Sequence, residues 1–449
     1  MGRPADVLKT VSTRNSQPPT PSRTLLGRLG LDRPELRAWA WYDWANSAFM
    51  TTVVAAVFPI YYAKVAADGL GDTTATFRYG IATTLALTVV AVIAPILGAL
   101  ADATGRKKRL LAVFAGIGIV ATACLGLVGR GDWLLALVLF MLGNIGIYGS
   151  MTFYDALLPH IARPEELDRV SSAGYALGYL GGGVLLAINL AWIQQPAWFG
   201  LPDAGVATRL AFVSVAVWWA LFTIPILRRV AEPPVDPVTA AGATIATAFR
   251  RLLHTLRELR RYRHAFAMLV AFMLYNDGIG TIIRMATLYG TQVGIDQGSL
   301  IGALLLVQFI GVPSAFVFGG IAARVGAKPA ILASLVLYTV ITVLAFRMTT
   351  ARDFMMLAAL VGLVQGGSQA LSRSVFASLI PKDRTAEFFG FFSVFEKFAG
   401  IFGPLLFSVA VALTHSNRAA ILSVILFFVA GGALLVTVDI EEGRRAAER

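Results

Sequence analysis

The chain has 449 residues, of which 57% are hydrophobic and 14% charged, whereas soluble globular domains carry about 25% charged residues. That composition excludes a soluble globule and points to lipid. A net charge of +12 would suit nucleic acid, but no recognition motif or stacking platform accompanies the basic residues, so a nucleic-acid partner is excluded too.

Residues 1–37 are rich in Pro, Ser, Thr and Arg and hold no apolar core long enough for a signal peptide, so they read as a disordered N-terminal tail. Apolar stretches follow, each near the roughly 20 residues that cross a hydrocarbon core as a helix. Twelve are expected, near 38–64, 79–101, 110–129, 133–158, 173–193, 209–227, 265–289, 300–322, 328–346, 354–380, 388–413 and 419–438. The first six make one unit, 38–227, and the last six another, 265–438. Between them, 228–264 is a polar linker that opens with Glu232-Pro233-Pro234-Val235-Asp236-Pro237, which cannot continue a helix. Past it, Phe249, Leu252, Leu253, Leu256 and Leu259 recur at helical spacing among Arg250, Arg251, Arg257, Arg260, Arg261 and Arg263. This spacing predicts an amphipathic helix lying on an anionic inner leaflet. Residues 439–449 form a short tail.

Basic residues alternate from one side to the other. The tails, the linker and the even-numbered loops hold 28 Lys and Arg, and the opposite loops hold seven. Retention of positive charge in the cytoplasm then puts both termini inside the cell, as an even number of crossings requires. The lone Cys124 permits no internal disulfide and is assigned to packing.

The run Gly98-Ala99-Leu100-Ala101-Asp102-Ala103-Thr104-Gly105-Arg106-Lys107 has a worn copy 221 residues later: Gly98, Gly105 and Lys107 recur as Gly319, Gly326 and Lys328, while Ala323 replaces Asp102 and Ala327 replaces Arg106. Leu157-Leu158-Pro159 returns as Leu379-Ile380-Pro381 at an offset of 222. Two unlinked markers with one spacing indicate a duplicated hydrophobic half. The expected fold is therefore all-α, a polytopic membrane protein of twelve transmembrane helices in two pseudo-symmetric six-helix bundles, the pattern of a membrane transporter.

Seven ionisable residues fall inside the expected spans: Asp43, Asp155, Asp277, Arg284, Arg373, Glu396 and Lys397. Each costs about 2.5–3.5 kcal/mol at a helix centre unless it faces a cavity or a partner. Asn46 and Ser47 follow Asp43 by three and four residues and share its helix face, with Tyr42 beside it. Asp277 stands in Tyr275-Asn276-Asp277-Gly278, with Arg284 two turns on. The first and seventh spans are equivalent, so Tyr42, Asp43, Asn46, Asn276 and Asp277 are expected near the pseudo-twofold axis, where substrate and coupling-ion sites lie. Asp277 and Arg284 could instead form a fixed ion pair. Gln365, Gln369 and Ser372 line one helix face that ends on Arg373, whose fork suits a carboxylate. Asp155, four residues before Pro159, is expected to latch to Arg106 and Asp102 and so hold the inner face closed. Glu396 and Lys397 are expected to neutralise charges across the bundle. Gly174, Gly178 and Gly182 present one bare face of the fifth span to a neighbour, for close packing or for gliding.

Enzyme readings are weak. His160, His254, His264 and His415 show no metal-ligand spacing, so no metal is expected. Gly366-Gly367-Ser368-Gln369-Ala370 lies in an apolar helix rather than at a strand-to-helix turn, and no phosphate-binding loop is present, so neither an enzyme nor a cofactor is expected.

The loop 98–109 carries the G-x-x-x-D-x-x-G-R-K pattern found between the second and third helices of the major facilitator superfamily, at all five specified positions. Within it, Trp41-Tyr42-Asp43-Trp44-Ala45-Asn46-Ser47, Tyr275-Asn276-Asp277-Gly278 and Gln365 to Ser374 resemble the vacuole-effluxer family, the autophagy-related amino-acid exporters of fungi and their bacterial relatives. The resemblance covers about 36–438. It implies alternating access by rocking bundles, amino-acid export in the fungal members, and gating roles for Gly98, Asp102, Gly105, Arg106 and Lys107, with Asp155 as their partner. The second copy lacks the Asp and the Arg, so its gate is expected to be looser. Together these readings predict a monomeric secondary active transporter of a small polar solute, an amino acid or similar zwitterion, in a bacterial inner membrane, with a proton as candidate coupling ion. A non-transporting sensor or scaffold on the same fold is the alternative.

Overall fold

The computed structural model describes residues 25–235, 244, 246, 247, 250, 262–292, 297–398, 402–414 and 420–448. The expected amphipathic helix of the linker and the tail up to residue 24 lie outside the described residues. All regular structure among the described residues is helical. The helices are α1 (Pro34–Ala66), α2 (Asp72–Thr104), α3 (Lys107–Cys124), α4 (Trp133–Ile161), α5 (Leu167–Gln194), α6 (Ala204–Arg229) and α7 (Arg263–Gln292). They continue with α8 (Gln297–Val325), α9 (Ala327–Arg347), α10 (Ala351–Ser378), α11 (Thr385–Phe398), α12 (Phe402–Thr414), α13 (Ile425–Val436) and α14 (Ile440–Glu448).

These runs are helical because a backbone in lipid must satisfy its hydrogen bonds within the segment. Their ends are set by polar groups. Gly105, at φ +64°, closes α2, the Asp203 carboxylate accepts from the Val206 N–H at the start of α6, and Thr350 and Asp353 form a capping box at the start of α10. Glu232 of the linker caps α3, its Oε1 accepting from the N–H of Lys108 at 2.8 Å. Partial burial there raises its carboxyl above the usual range against those N–H donors and the nearby lysines. Inside α1, Phe49–Val57 and Tyr62–Ala66 wind as π-helix, and Met50, Thr51 and Ala55 of the wider turn face the cavity described below.

Among the described residues ten helices, α1 to α10, each contain a run long and apolar enough to cross a membrane, and the pair Leu422–Val436 and Ile440–Glu448, bent by 61°, makes an eleventh if counted as one. Helices α11 and α12 occupy the position of the expected eleventh crossing, but each is short. Phe77, Val120, Val217 and Leu426 are exposed, as side chains that face lipid must be.

In the first bundle α1 packs on α5 and α6, and α4 on α2 and α3. In the second, α10 packs on α8 and α9, and α7 on α13. The bundles meet along α2–α11, α4–α11, α5–α8 and α5–α10. Glycines let backbones touch there: a Cβ on Gly390 would lie 2.6 Å from Pro95 Cα, and one on Gly319 would lie 2.9 Å from Ser172 Cβ. Gly174, Gly178 and Gly182 serve close packing inside the first bundle, against Asp43, Ser47 and Thr51 of α1.

The chain just before α1 is packed rather than free, unlike the expectation for residues 1–37. Arg33 donates to Glu166 at 2.5 Å, and Gly30, at φ +74°, lies against Arg169 of α5. After α13, α14 returns to the start of α7, where the Asp439 N–H donates to His264 Nδ1 at 3.0 Å and Arg263 pairs with Glu442 at 2.6 Å. The start of α1, the end of α2 and α14 therefore share one end of the molecule, the end bearing the Gly98–Lys107 loop.

Candidate functional site

Near that end three helices, α1, α4 and α5, converge on Arg373 of α10, which is 1% exposed. Its Nη1 donates to Asp155 Oδ1 at 3.1 Å and its Nη2 to Asp43 Oδ2 at 3.3 Å. Nε donates to Ser171 Oγ and Nη2 also to the Ser171 carbonyl, both at 2.9 Å. The guanidinium lies over the rings of Trp39 and Tyr175, 4.8 and 4.4 Å from their centroids. Tyr154 donates its hydroxyl to Asp43 Oδ2 at 2.7 Å, and the Trp39 ring stacks on it at 4.4 Å. Gly174 makes room, because a Cβ there would lie 2.5 Å from Asp43 Oδ2 and 3.1 Å from Arg373 Nη2. One cation of the second bundle is thus clasped by two carboxylates and a serine of the first.

This cluster floors a cavity of about 470 Å³ that runs between the bundles toward the opposite end of the molecule. The direction follows from α10, which enters at the far end and passes Phe354, Leu357, Val361, Gln365 and Gln369 along the wall before reaching Arg373. Asp43, Asn46, Asp155, Tyr175, Gln365, Gln369 and Glu396 are among the cavity's polar groups, and Met50, Met151, Ile282, Leu304 and Phe392 are among its apolar ones.

Below the floor the molecule is shut. Asp102 pairs with Lys107 at 2.7 Å and accepts the backbone N–H groups of Ala386 (3.1 Å) and Glu387 (2.8 Å) at the start of α11. Ser374 donates to Asp168 at 2.5 Å, Ser171 to the Ala370 carbonyl at 2.7 Å, and His160 Nε2 lies 3.0 Å from Thr385 Oγ1. Among the described residues, the molecule is closed at the Gly98–Lys107 end and the cavity leads toward the other.

Several expected site residues come together and others do not. Asp43, Asn46, Gln365, Gln369 and Arg373 gather at the cavity or its floor. Tyr42 is buried beside Tyr154, behind Asp43, and its carbonyl accepts from Asn46 Nδ2 at 2.8 Å. Asn276 accepts from Gln369 at 3.5 Å. Asp277 does not mirror Asp43. Its Oδ2 accepts the Gly403 N–H at 2.7 Å, so it caps α12, and its neighbour Thr281 takes the place on the cavity wall. The latch expected between Asp155 and Arg106 is replaced by another pairing: Arg106 is exposed, the Asp155 carboxylate goes to Arg373, and Asp102 takes Lys107. Glu396 lines the cavity, while the side chains of Arg284 and Lys397 lie outside the described residues. Trp39, Tyr154, Ser171 and Tyr175 escaped the sequence reading, although the bare Gly174 face marked the helix that carries two of them.

The profile of the family described as vacuole effluxer Atg22 like matches residues 72–448. The chain belongs to this Atg22-like family. It is 38% identical to the uncharacterized MFS-type transporter YxiO of Bacillus subtilis, over 90% of this chain and 94% of that one. It is 28% identical to autophagy-related protein 22 of Yarrowia lipolytica, over 64% of this chain and 53% of that protein. In fold it resembles the proton:xylose symporter XylE bound to 6-bromo-6-deoxy-D-glucose, with a TM-score of 0.69 at 13% identity, covering 90% of this chain and 95% of that one. This Atg22-like protein is accordingly a multi-pass membrane transporter of the major facilitator fold and not an enzyme.

Proposed function

We propose that the protein moves an amino acid or related zwitterion by alternating access, with a proton as coupling ion. The observation that carries this reading is the single guanidinium of Arg373 shared between Asp43 and Asp155 across the two bundles at the floor of the cavity. Two carboxylates and one guanidinium leave one negative charge in excess, and a buried excess charge calls for a partner. The ammonium group of a zwitterion or a proton meets that need. The substrate carboxylate in turn accepts from Arg373 in place of one aspartate, in the paired geometry the guanidinium fork favours. Each exchange removes a tie between α10 and α1 or α4 and lets the bundles rock. Apolar walls of Met50, Met151, Ile282 and Leu304 suit an uncharged side chain.

The excess of Lys and Arg in the tails, the linker and the even-numbered loops supports an orientation with the Gly98–Lys107 end and both termini in the cytoplasm of a bacterial inner membrane. On this orientation the cavity faces outward. Proteoliposomes preloaded with one unlabelled amino acid at a time should accumulate the same labelled amino acid by counterflow for at least one choice. Asp43→Asn should abolish that signal while the purified variant remains monodisperse. Failure of every standard amino acid would overturn the substrate class. Uptake that an imposed pH gradient leaves unchanged would overturn the proton.

A further inference from the structure

Apart from the central cavity, a second pocket of about 280 Å³ lies between the start of α1 and the end of α6, lined by Arg37, Trp41, Ile224, Pro225, Arg228 and Arg229 among others. The two helices run antiparallel, so the three arginines sit at the rim and the apolar groups of Trp41, Ile224 and Pro225 lie one turn deeper. Arg228 and Arg229 are exposed and make no ion pair among the described residues. Glu35, the acid in the first turn of α1, is taken by Arg33 at 3.5 Å. Arg37 is held in place from behind, its Nη1 donating to the carbonyls of Leu31 (3.4 Å) and Asp32 (3.3 Å), which leaves the rest of its fork free to donate. The half-buried Trp41 ring stacks on Phe222 of α6 at 5.2 Å and 7°, and so forms a fixed wall.

Two basic residues ending a helix are explained in part by the helix dipole and by topology alone. Topology also accounts for the charge of the third arginine, Arg37 on the other helix, but neither accounts for a walled pocket that turns from cationic to apolar with depth. That gradient is the one a phospholipid presents at the edge of a bilayer, phosphate outermost and acyl chain within, and basic pockets between helices at this level hold anionic headgroups. We propose that this pocket holds the phosphate of an anionic phospholipid, with its acyl chain along Trp41, Ile224 and Pro225. A zwitterionic lipid fits poorly, since its ammonium group would enter a ring of three guanidinium groups. The occupant would tie the first turn of α1, the helix that carries Asp43, to the end of α6.

Native mass spectrometry of the full-length protein tests this, titrated with phosphatidylglycerol, with phosphatidylcholine of the same acyl chains, and with glycerol 3-phosphate. Phosphatidylglycerol should bind in preference to both. The double exchange Arg228→Gln and Arg229→Gln should weaken it about 30-fold, from about 1 kcal/mol for each arginine near the surface. Arg228→Lys with Arg229→Lys should retain binding, as should Arg324→Gln, which removes an exposed arginine from the end of α8. Arg37→Gln, on the opposite helix, should cost about fivefold and carries the test if the double variant does not fold. Equal binding of phosphatidylcholine, undiminished binding by Arg37→Gln or by a folded double Gln variant, or glycerol 3-phosphate binding as tightly as the lipid would each overturn the proposal.

Discussion

The Gly98–Lys107 loop and its copy at Gly319–Lys328 each turn at a glycine of positive φ, but the turns differ, Gly105 at φ +64° and ψ 27° and Gly326 at φ +90° and ψ 153°, and they fasten different things. In the first copy Lys107 is buried against Asp102, and Asp102 reaches across to the backbone N–H groups that open α11. This ties one bundle to the other. In the second copy Ala323 offers no carboxylate, and Lys328 donates instead to the carbonyls of Val436 and Val438, both at 2.8 Å, inside its own bundle. Lys108 does the same work in the first half, donating to the Leu227 carbonyl at 3.0 Å. The duplicated loop therefore keeps a glycine of positive φ and an own-bundle anchor through lysine, while one aspartate decides whether it also locks the two bundles together.

Removing that aspartate should give the largest effect. Asp102→Ala leaves Lys107, 2% exposed, as a buried charge without its carboxylate, and strands the start of α11. Breaking one partner out of a buried pair costs about 3–5 kcal/mol. The loss falls on the closed arrangement of this face. Spin labels at Arg106→Cys and Lys382→Cys, both exposed positions, should move to longer and broader distances. Asp102→Ala with Lys107→Ala should recover part of the stability, since no unpaired charge remains. Unchanged label distances in the single variant would show that Asp102 does not hold the face shut.

What the sequence conveys about these two regions follows from how far each signal reaches along the chain. Apolar runs, the repeat and the turn glycines are local, so the helices and the duplication are readable from them. Asp43, Asp155 and Arg373 also stand out, because a charge in an apolar run is conspicuous alone. Their pairing does not, since Arg373 meets Asp155 across 218 residues and Asp43 across 330. A place at the same end of the spans suggests Arg106 for Asp155, and symmetry suggests that Asp277 copies Asp43. Both inferences fail for one reason: a buried carboxylate takes whichever donors the packed helices bring to it. For Asp277 that donor is the Gly403 N–H at the opening of α12, which no helical periodicity reveals.

Glycine exchanges sharpen the comparison at a smaller scale. A Cβ on Gly98 would collide with the Ala386 carbonyl and lie 2.9 Å from the Glu387 N, backbone atoms that Asp102 itself holds in place. Overpacking of this kind costs about 1–3 kcal/mol, and Gly98→Ala should therefore part the labelled ends of α2 and α11. On Gly319 a Cβ would meet the Cβ and Oγ of Ser172 at 2.9 Å, with backbone no nearer than 3.7 Å at Arg169 Cα. The hydroxyl can rotate away but the Ser172 Cβ cannot, so α5 and α8 must part slightly, and Gly319→Ala should cost less than Gly98→Ala, whose clash is closer and with backbone, within the same range of about 1–3 kcal/mol. Equal displacement in the two variants would mean that the α5–α8 contact is as much a lock as α2–α11.

The smallest effect is expected from Ala323→Asp, which restores to the second copy the residue it lacks. Position 323 is exposed, so a carboxylate there would meet Lys328 in a solvent-screened pair worth about 0–1 kcal/mol. Forming that pair would also draw Lys328 from the carbonyls of Val436 and Val438. Nor is the partner helix poised to answer, because Asp168, at the opening of α5, is already bonded to Ser374. Thermal unfolding and label distances should accordingly stay close to those of the parent protein. A shift as large as the one produced by losing Asp102 would mean that the acid alone makes the lock. The expected silence means that the lock needs burial and an unpaired helix start as well, and that only the first copy supplies all three.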